Sequence, residues 1–186
     1  WPHFTWDSDA LLKPLGNVRF NQGSLTAQIR ELGFDIQQTA RADVLVEEAL
    51  KTSAIEGEKL DPDAVRSSVG RRLGLPDGGL KYVQDQKADG LVQILLDATN
   101  NHCQELTPER LFAWHASLFP TGYSGMIKIN AAQWRDDKDV PMQVVSGPIG
   151  NQKIHFEAPP VHMVENEMKR FIIWANRETD TDGIIK

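Results

Sequence analysis

The residues best placed to do chemistry lie in Thr52-Ser53-Ala54-Ile55-Glu56-Gly57. Glu56 follows Leu45 by eleven positions, and at about 100° per residue that is about 20° beyond whole turns of a helix. It therefore shares a face with Leu45, Ala49 and Thr52, the small and apolar side of the segment. It also falls at the helix C-terminus, where a carboxylate meets the negative end of the dipole. An inward anion there needs a cation or a hydrogen-bond donor. The residues leave two outcomes open: the helix end frays and Glu56 is solvated, or the carboxylate reaches an arginine or lysine elsewhere.

Other candidate groups carry less. His102 and Cys103 are adjacent, with no spaced second pair of ligands, which argues against a zinc site; no metal site is expected. His115 beside Trp114 reads as a packing histidine. His155 alternates with Ile154 and Phe156, which puts it on an exposed strand face. Asp136, Asp137 and Asp139 with Arg135 and Lys138 read as a solvated loop, lacking the alternating ligands and distal Glu of a calcium loop. Arg71-Arg72 is too short a basic cluster for nucleic acid. Ser146-Gly147 lacks the G-x-S-x-G elbow of a hydrolase.

The elements that must position these groups are mostly helices. Asp7 or Ser8 caps a first helix whose apolar positions Leu11, Leu15, Val18, Leu25, Ile29 and Leu32 keep a 3-4 spacing, with Gln22 the polar exception and Gly33 the stop. Thr39 is expected to cap a second helix over about 39–57 that ends at Gly57. Asp61-Pro62-Asp63 opens a third, which ends near Gly74. Pro76-Asp77-Gly78-Gly79 is the clearest break. A fourth helix is expected over 82–102, with Ala88, Leu91, Val92, Leu95, Ala98 and Thr99 on one side. Thr107-Pro108-Glu109 opens a fifth. The period then changes to alternation over 143–146 and 153–156, around Gly147-Pro148-Ile149-Gly150-Asn151, which is a β-hairpin. Pro159-Pro160 opens a last helix with Val161, Val164, Met168, Phe171, Ile172 and Ala175 as its apolar stripe. The expected fold is mainly α, a helical bundle with one β-hairpin, in two parts: 1–75 and 80–186.

Composition sets the outer limits. The chain has 186 residues, 20 Lys+Arg against 26 Asp+Glu and a net charge of −6, a poor balance for phosphate-backbone binding. With 40% hydrophobic and 25% charged residues it is ordinary globular sequence. The single cysteine, Cys103, allows no internal disulfide. No apolar run approaches the roughly 20 residues of a membrane span, and no signal peptide is visible. A cytoplasmic protein with no membrane or nucleic-acid partner is the expectation. The chain opens on Trp1 and stops at Lys186, which reads as a trimmed piece of something longer.

Thr52-x-x-x-Glu56-Gly57 resembles the inhibitory motif (S/T)xxxE(G/N) of Fic-family proteins. Downstream, Gln133-Trp134-Arg135, Val144-Val145-Ser146-Gly147-Pro148 and His155-Phe156-Glu157-Ala158-Pro159-Pro160 resemble the hairpin "flap" of the same family, here about 142–157. The helix with Glu167-Met168, Phe171 and Trp174-Ala175-Asn176 is similar to the one that follows it. The opening Trp1-Pro2-x-Phe4-x-Trp6 resembles an uncharacterised helical domain that often precedes Fic domains.

The resemblance implies a Fic-like fold and a self-inhibited enzyme that transfers AMP from ATP, with Mg²⁺, to a hydroxyl of a protein target. Glu56 would be the inhibitory residue, helped by Thr52 and Gly57. Val144, Val145 and Ser146 would dock the target by strand addition, and His155 would lie near nucleotide or target. The signature HxFx(D/E)GNGRxxR that carries the catalytic residues is absent from these 186 residues. No catalytic residue is therefore assigned, and the chain alone is expected to be inactive and to hold ATP and Mg²⁺ weakly. The stripe of Val164, Met168 and Phe171 is expected to be covered by the remainder of the domain or by another copy, as in a homodimer. Two alternatives stand beside this one: a non-catalytic helical interaction or dimerisation module, and a Fic-type enzyme that removes AMP or transfers another phosphate-linked group.

Overall fold

The computed structural model describes residues 5–75, 83–136, 142–148, 150–178, 182 and 184. Outside them lie the opening Trp1-Pro2 and Phe4, the break at 76–79, Tyr82, Asp137, Lys138, Asp139, Ile149 and most of the expected polar loop 179–183. The chain divides into two units, Trp1–Val83 and Gln84–Lys186. Among the described residues it is mainly helical, with six helices and two small antiparallel strand pairs. No described helix is long and apolar enough to cross a membrane.

In the first unit, α1 (Ser8–Glu31) starts where Asp7 accepts from the backbone N–H of Asp9 at 3.0 Å and of Ala10 at 3.1 Å. It buries none of its residues, and Val18, Leu25, Ile29 and Leu32 of its apolar stripe are exposed. α2 (Phe34–Ile55) begins five residues before the expected start. Thr39 is not a cap: its hydroxyl donates to the Asp35 carbonyl one turn back at 2.9 Å, a bond that lets threonine sit inside a helix. α3 (Pro62–Leu73) begins as its sequence dictates, with Asp61 accepting from the Asp63 N–H at 2.9 Å and Pro62 in the first turn. Gly74, at φ 67°, closes it.

The core of this unit is the seam between α2 and α3. Leu45, Val46, Ala49 and Ser53 face Ala64, Val65, Ser68 and Val69, all buried. Small side chains let the two backbones approach. An exposed Arg66–Asp43 pair at 3.4 Å spans the same helices.

In the second unit, α4 (Gln86–Asn100) is capped by Asp85, which accepts from the N–H of Lys87 at 2.8 Å and of Ala88 at 3.3 Å. The helix is shorter than the expected 82–102. Of its expected stripe, Ala88 and Val92 are buried, whereas Thr99 is exposed and turns its hydroxyl back to the Leu95 carbonyl at 2.7 Å. α5 (Pro108–Leu118) follows its Thr107 cap. The two helices meet at Gly90: a Cβ there would stand 1.9 Å from the carbonyl oxygen of Ser117. Only a residue without a side chain permits that crossing.

A polar knot holds the other end of the pair. Arg110 donates from Nε to Asp97 Oδ2 at 2.8 Å, and from its two terminal nitrogens to the carbonyls of Gln104, Asp97 and Asn101, each at 3.1 Å. Trp114 Nε1 donates to the same Asp97 oxygen at 2.7 Å, and Asn101 Nδ2 to the other at 2.6 Å. The guanidinium also lies over the Trp114 ring, 5.0 Å from its centroid. The side chains of Arg110 and Asp97 are 14% and 29% exposed, so water competes weakly. The hydrogen bonds from Asn101 first, then from Arg110 and Trp114, hold the Asp97 carboxyl below its ordinary range.

Two short hairpins and a last helix complete the unit. β1 (Tyr123–Ser124) pairs with β2 (Ile127–Lys128), a turn the alternation did not reveal because each strand has two residues. β3 (Gln143–Ser146) pairs with β4 (Lys153–Glu157), as expected. α6 (Val161–Asn176) buries no residue fully; Val164 and Met168 are half-buried and Phe171 is exposed.

Replacing Gly90 by Ala should destabilise the second unit by about 3 kcal/mol, because a carbonyl and a methyl must separate within a packed crossing. Urea unfolding followed by tryptophan fluorescence measures this. Asp97→Ala should cost about 2 kcal/mol by stranding Arg110 and Trp114. The lowered carboxyl gives the sign with pH: the Asp97 contribution is full above its unfolded value near about 3.9 and is lost as pH falls through its lower folded value. Acid unfolding of Asp97→Ala should lack that component.

Candidate functional site

The α2 terminus is built by the backbone and closed by glycine. Glu58 N–H donates to the Ser53 carbonyl at 2.9 Å, and Gly57 N–H to the Ala54 carbonyl at 3.1 Å. This crossed pair is a Schellman motif, and it needs the left-handed residue that Gly57 supplies at φ 78°. The expectation that Gly57 stops the helix therefore holds. Thr52 is half-buried and donates its hydroxyl to Glu48 Oε1 at 3.2 Å, one turn earlier on the same helix.

Glu56 occupies the C-cap at φ −81°, ψ 4°. Its side chain is exposed, which corrects the inward orientation allowed by the helical wheel. The apolar face continues in angle, but the last α2 residue buried is Ser53, 8% exposed. Past it the α2–α3 pair offers nothing to cover a side chain. The carboxylate makes no side-chain hydrogen bond or ion pair among the described residues. It stands at the negative end of a 22-residue helix with no basic residue in the last turn, a placement that favours an incoming cation.

The second candidate is the β3–β4 hairpin. Gln143 lies opposite Glu157, their side chains bonded at 2.7 Å, and Val144 lies opposite Phe156. The next pair is Val145 with Ile154, so β4 advances two residues while β3 advances one. His155 is the extra residue of this bulge. Regular alternation was expected here; the bulge is how Val144 and Val145, neighbours in sequence, come to face Phe156 and Ile154. Val144, Val145, Ser146 and His155 are all exposed. The His155 ring reaches back across the strands, its Nε2 2.6 Å from Ser146 Oγ. The hairpin thus brings two of the expected site residues together.

Side-chain hydrogen bonds, several of them to backbone, tie down the rest of this unit. Arg135 donates to the Pro159 carbonyl, and Asn130 donates to Asp136. Asn176, the last residue of α6, accepts from the Leu106 N–H and donates to the Leu106 carbonyl, both at 2.8 Å. Its amide thereby stands in for a strand partner between residues 70 apart in sequence. His115 is half-buried and accepts the Ala132 N–H through Nδ1 at 3.2 Å, which puts the proton of the neutral ring on Nε2. Ala132 has φ 60°, the one described non-glycine residue with positive φ. His115 and its edge-on contact with Phe119 are structural, as its helical setting suggested. His102 bonds the Thr99 carbonyl at 2.9 Å beside an exposed Cys103, and no cluster of three or more His, Cys, Asp or Glu among the described residues could hold a metal.

Sequence reasoning missed Asn176, Asp97 and Arg110 as anchors. Nothing in local pattern marks them, because each acts on backbone or side chains of a different element. Residues 1–75 match a domain of unknown function, DUF4172, a domain associated with Fic-like proteins. No curated protein matches the chain.

Gly57→Ala should lower the stability of the α2–α3 pair by about 1 kcal/mol, through a left-handed backbone that alanine resists. Thermal melting by circular dichroism gives the comparison.

Proposed function

We propose that this chain is the N-terminal part of a self-inhibited Fic protein that transfers AMP from ATP to a hydroxyl side chain of a protein target, with Glu56 as the inhibitory residue. The observation that carries the reading is the Glu56 carboxylate, uncovered and unbonded at the closed end of α2, one residue before Gly57. A carboxylate so placed meets an arginine presented from elsewhere without first breaking a contact of its own. Occupying that guanidinium would keep it from the γ-phosphate of ATP. The DUF4172 match over 1–75 and the exposed hairpin at Gln143–Ser146 and Lys153–Glu157 support the same reading.

The hairpin leaves exposed residues along β3, and a target segment could add there as a strand, guided by backbone hydrogen bonds more than by side chains. His155 and Ser146 sit on the same hairpin, within reach of such a segment. No group of three or more His, Cys, Asp or Glu that could hold a metal occurs among the described residues, and no nucleotide step is assigned to them. Removal of AMP by hydrolysis would use the same docking, with the Glu56 carboxylate orienting the attacking water.

A second reading is favoured by α1, a 24-residue helix that buries nothing and exposes Val18, Leu25 and Ile29. It makes the chain a helical interaction module. Calorimetric titration of the intact protein with ATP and Mg²⁺ separates the two, since tight nucleotide binding counts against a pure module.

Glu56→Gly in the intact protein should raise AMP incorporation into itself and its targets by about tenfold or more, within the usual range of coupling between an inhibitory contact and a site. Incorporation no faster than wild type would remove Glu56 from the inhibitory role.

A further inference from the structure

The apolar stripe of α1 keeps a seven-residue repeat. Leu11, Leu15, Val18, Gln22, Leu25, Ile29 and Leu32, the last at the C-cap, are spaced alternately four and three apart over three heptads. Leu15, Gln22 and Ile29 occupy the a positions, and Leu11, Val18, Leu25 and Leu32 the d positions. A stripe that averages 3.5 residues per turn stays in contact with a second helix when the two supercoil. Val18, Leu25, Ile29 and Leu32 are exposed, and Leu11 and Leu15 are only half-buried. Pro14, Gly16 and Gly23 also lie inside α1, and proline and glycine are the two least favourable residue types in a helix interior. A helix so composed that buries no residue draws its stability from a partner. Gly16 and Gly23 fall seven apart at b positions, outside the seam, and leave it unbroken.

Gln22 identifies that partner. It stands at the middle of the seam, with three apolar seam residues on either side. A polar group there is costly unless a hydrogen-bonding group meets it at the same level. Two α1 helices placed parallel and in register set Gln22 against the same residue of the other copy, and each apolar residue against its like. An antiparallel pair aligns a with d and would set Gln22 against Val18 or Leu25. Gln22 Oε1 accepts from Arg19 Nη1 at 3.0 Å, which orients the amide nitrogen to donate across the axis. The flanking pairs of the parallel arrangement are Pro14 with Arg19, Asn21 with Thr26 and Gln28 with Gly33 of the other copy, and none brings like charges together.

We propose that α1 is a dimerisation helix, which pairs with α1 of a second copy as a parallel two-stranded coiled coil whose register Gln22 sets. The pairing involves no property of Glu56 and holds whether or not the intact protein transfers AMP.

Sedimentation of the intact protein at micromolar concentration should give twice the mass of one chain. Leu25→Glu would place two carboxylates in the seam and should raise the dimer dissociation constant about 100-fold or more. Leu25 is 58% exposed in the single copy, so its substitution leaves the fold intact. Phe20, at 76% the more exposed side chain, lies at an f position on the outer face, and Phe20→Glu should leave the dimer unchanged. In a Cys103→Ser background, copies carrying Leu11→Cys should cross-link to each other on oxidation, because parallel strands bring position 11 of one to position 11 of the other. Antiparallel strands would hold the two positions most of a helix length apart. A monomeric wild type, a Leu25→Glu protein that dimerises as well as wild type, an equal loss with Phe20→Glu, or no cross-link at position 11 would each overturn the proposal. Should Leu25→Glu lose helical circular dichroism, the cross-link decides alone.

Discussion

Close approach of helices through small residues is the constraint on which both units depend. In the first, valine, alanine and serine line the α2–α3 seam. In the second, Gly90 of α4 lies against the backbone of α5 at a distance no side chain tolerates. Close approach of this kind yields good dispersion contact but modest apolar burial. Each unit therefore adds directional contacts: a Schellman turn and a helix-start aspartate in one, the Asp97–Arg110–Trp114 knot in the other.

That division explains where chemistry is available. Arg110 spends four of its five N–H donors on three carbonyls and a carboxylate, with an indole beneath it. His115 is committed to the Ala132 N–H. An uncommitted charged group lies elsewhere, at the α2 terminus. Glu56 is a charged group that the fold positions by backbone alone and then leaves unbonded, an arrangement that contributes nothing evident to the stability of its own helix.

What could be read from sequence is what depends on near neighbours. Asp7, Asp61 and Thr107 cap helices because their side chains reach N–H groups two or three residues on, a distance visible in the chain. Gly57 and Gly74 stop helices for an equally local reason, positive φ. Thr39 misled because a threonine that caps and a threonine that bonds back inside a helix look alike until the preceding turn is known. Glu56 could be assigned an angle on the helix but not its exposure, since exposure depends on where α3 stops covering α2. Asn176 and Leu106 are joined across 70 residues, and no periodicity records such a meeting. The bulge at His155 is likewise a property of two strands together.

That bulge has a further consequence. A regular two-stranded ribbon can slide by two residues and regain its hydrogen bonds with the same faces outward. Here an unpaired residue sits between the Val145–Ile154 and Val144–Phe156 pairs, and Gln143 is joined to Glu157 just beyond. Any shift would carry the extra residue into the ladder and break both. The ribbon is thereby indexed like a ratchet tooth: a peptide laid along β3 always meets the same sequence of donors and acceptors, in a single phase.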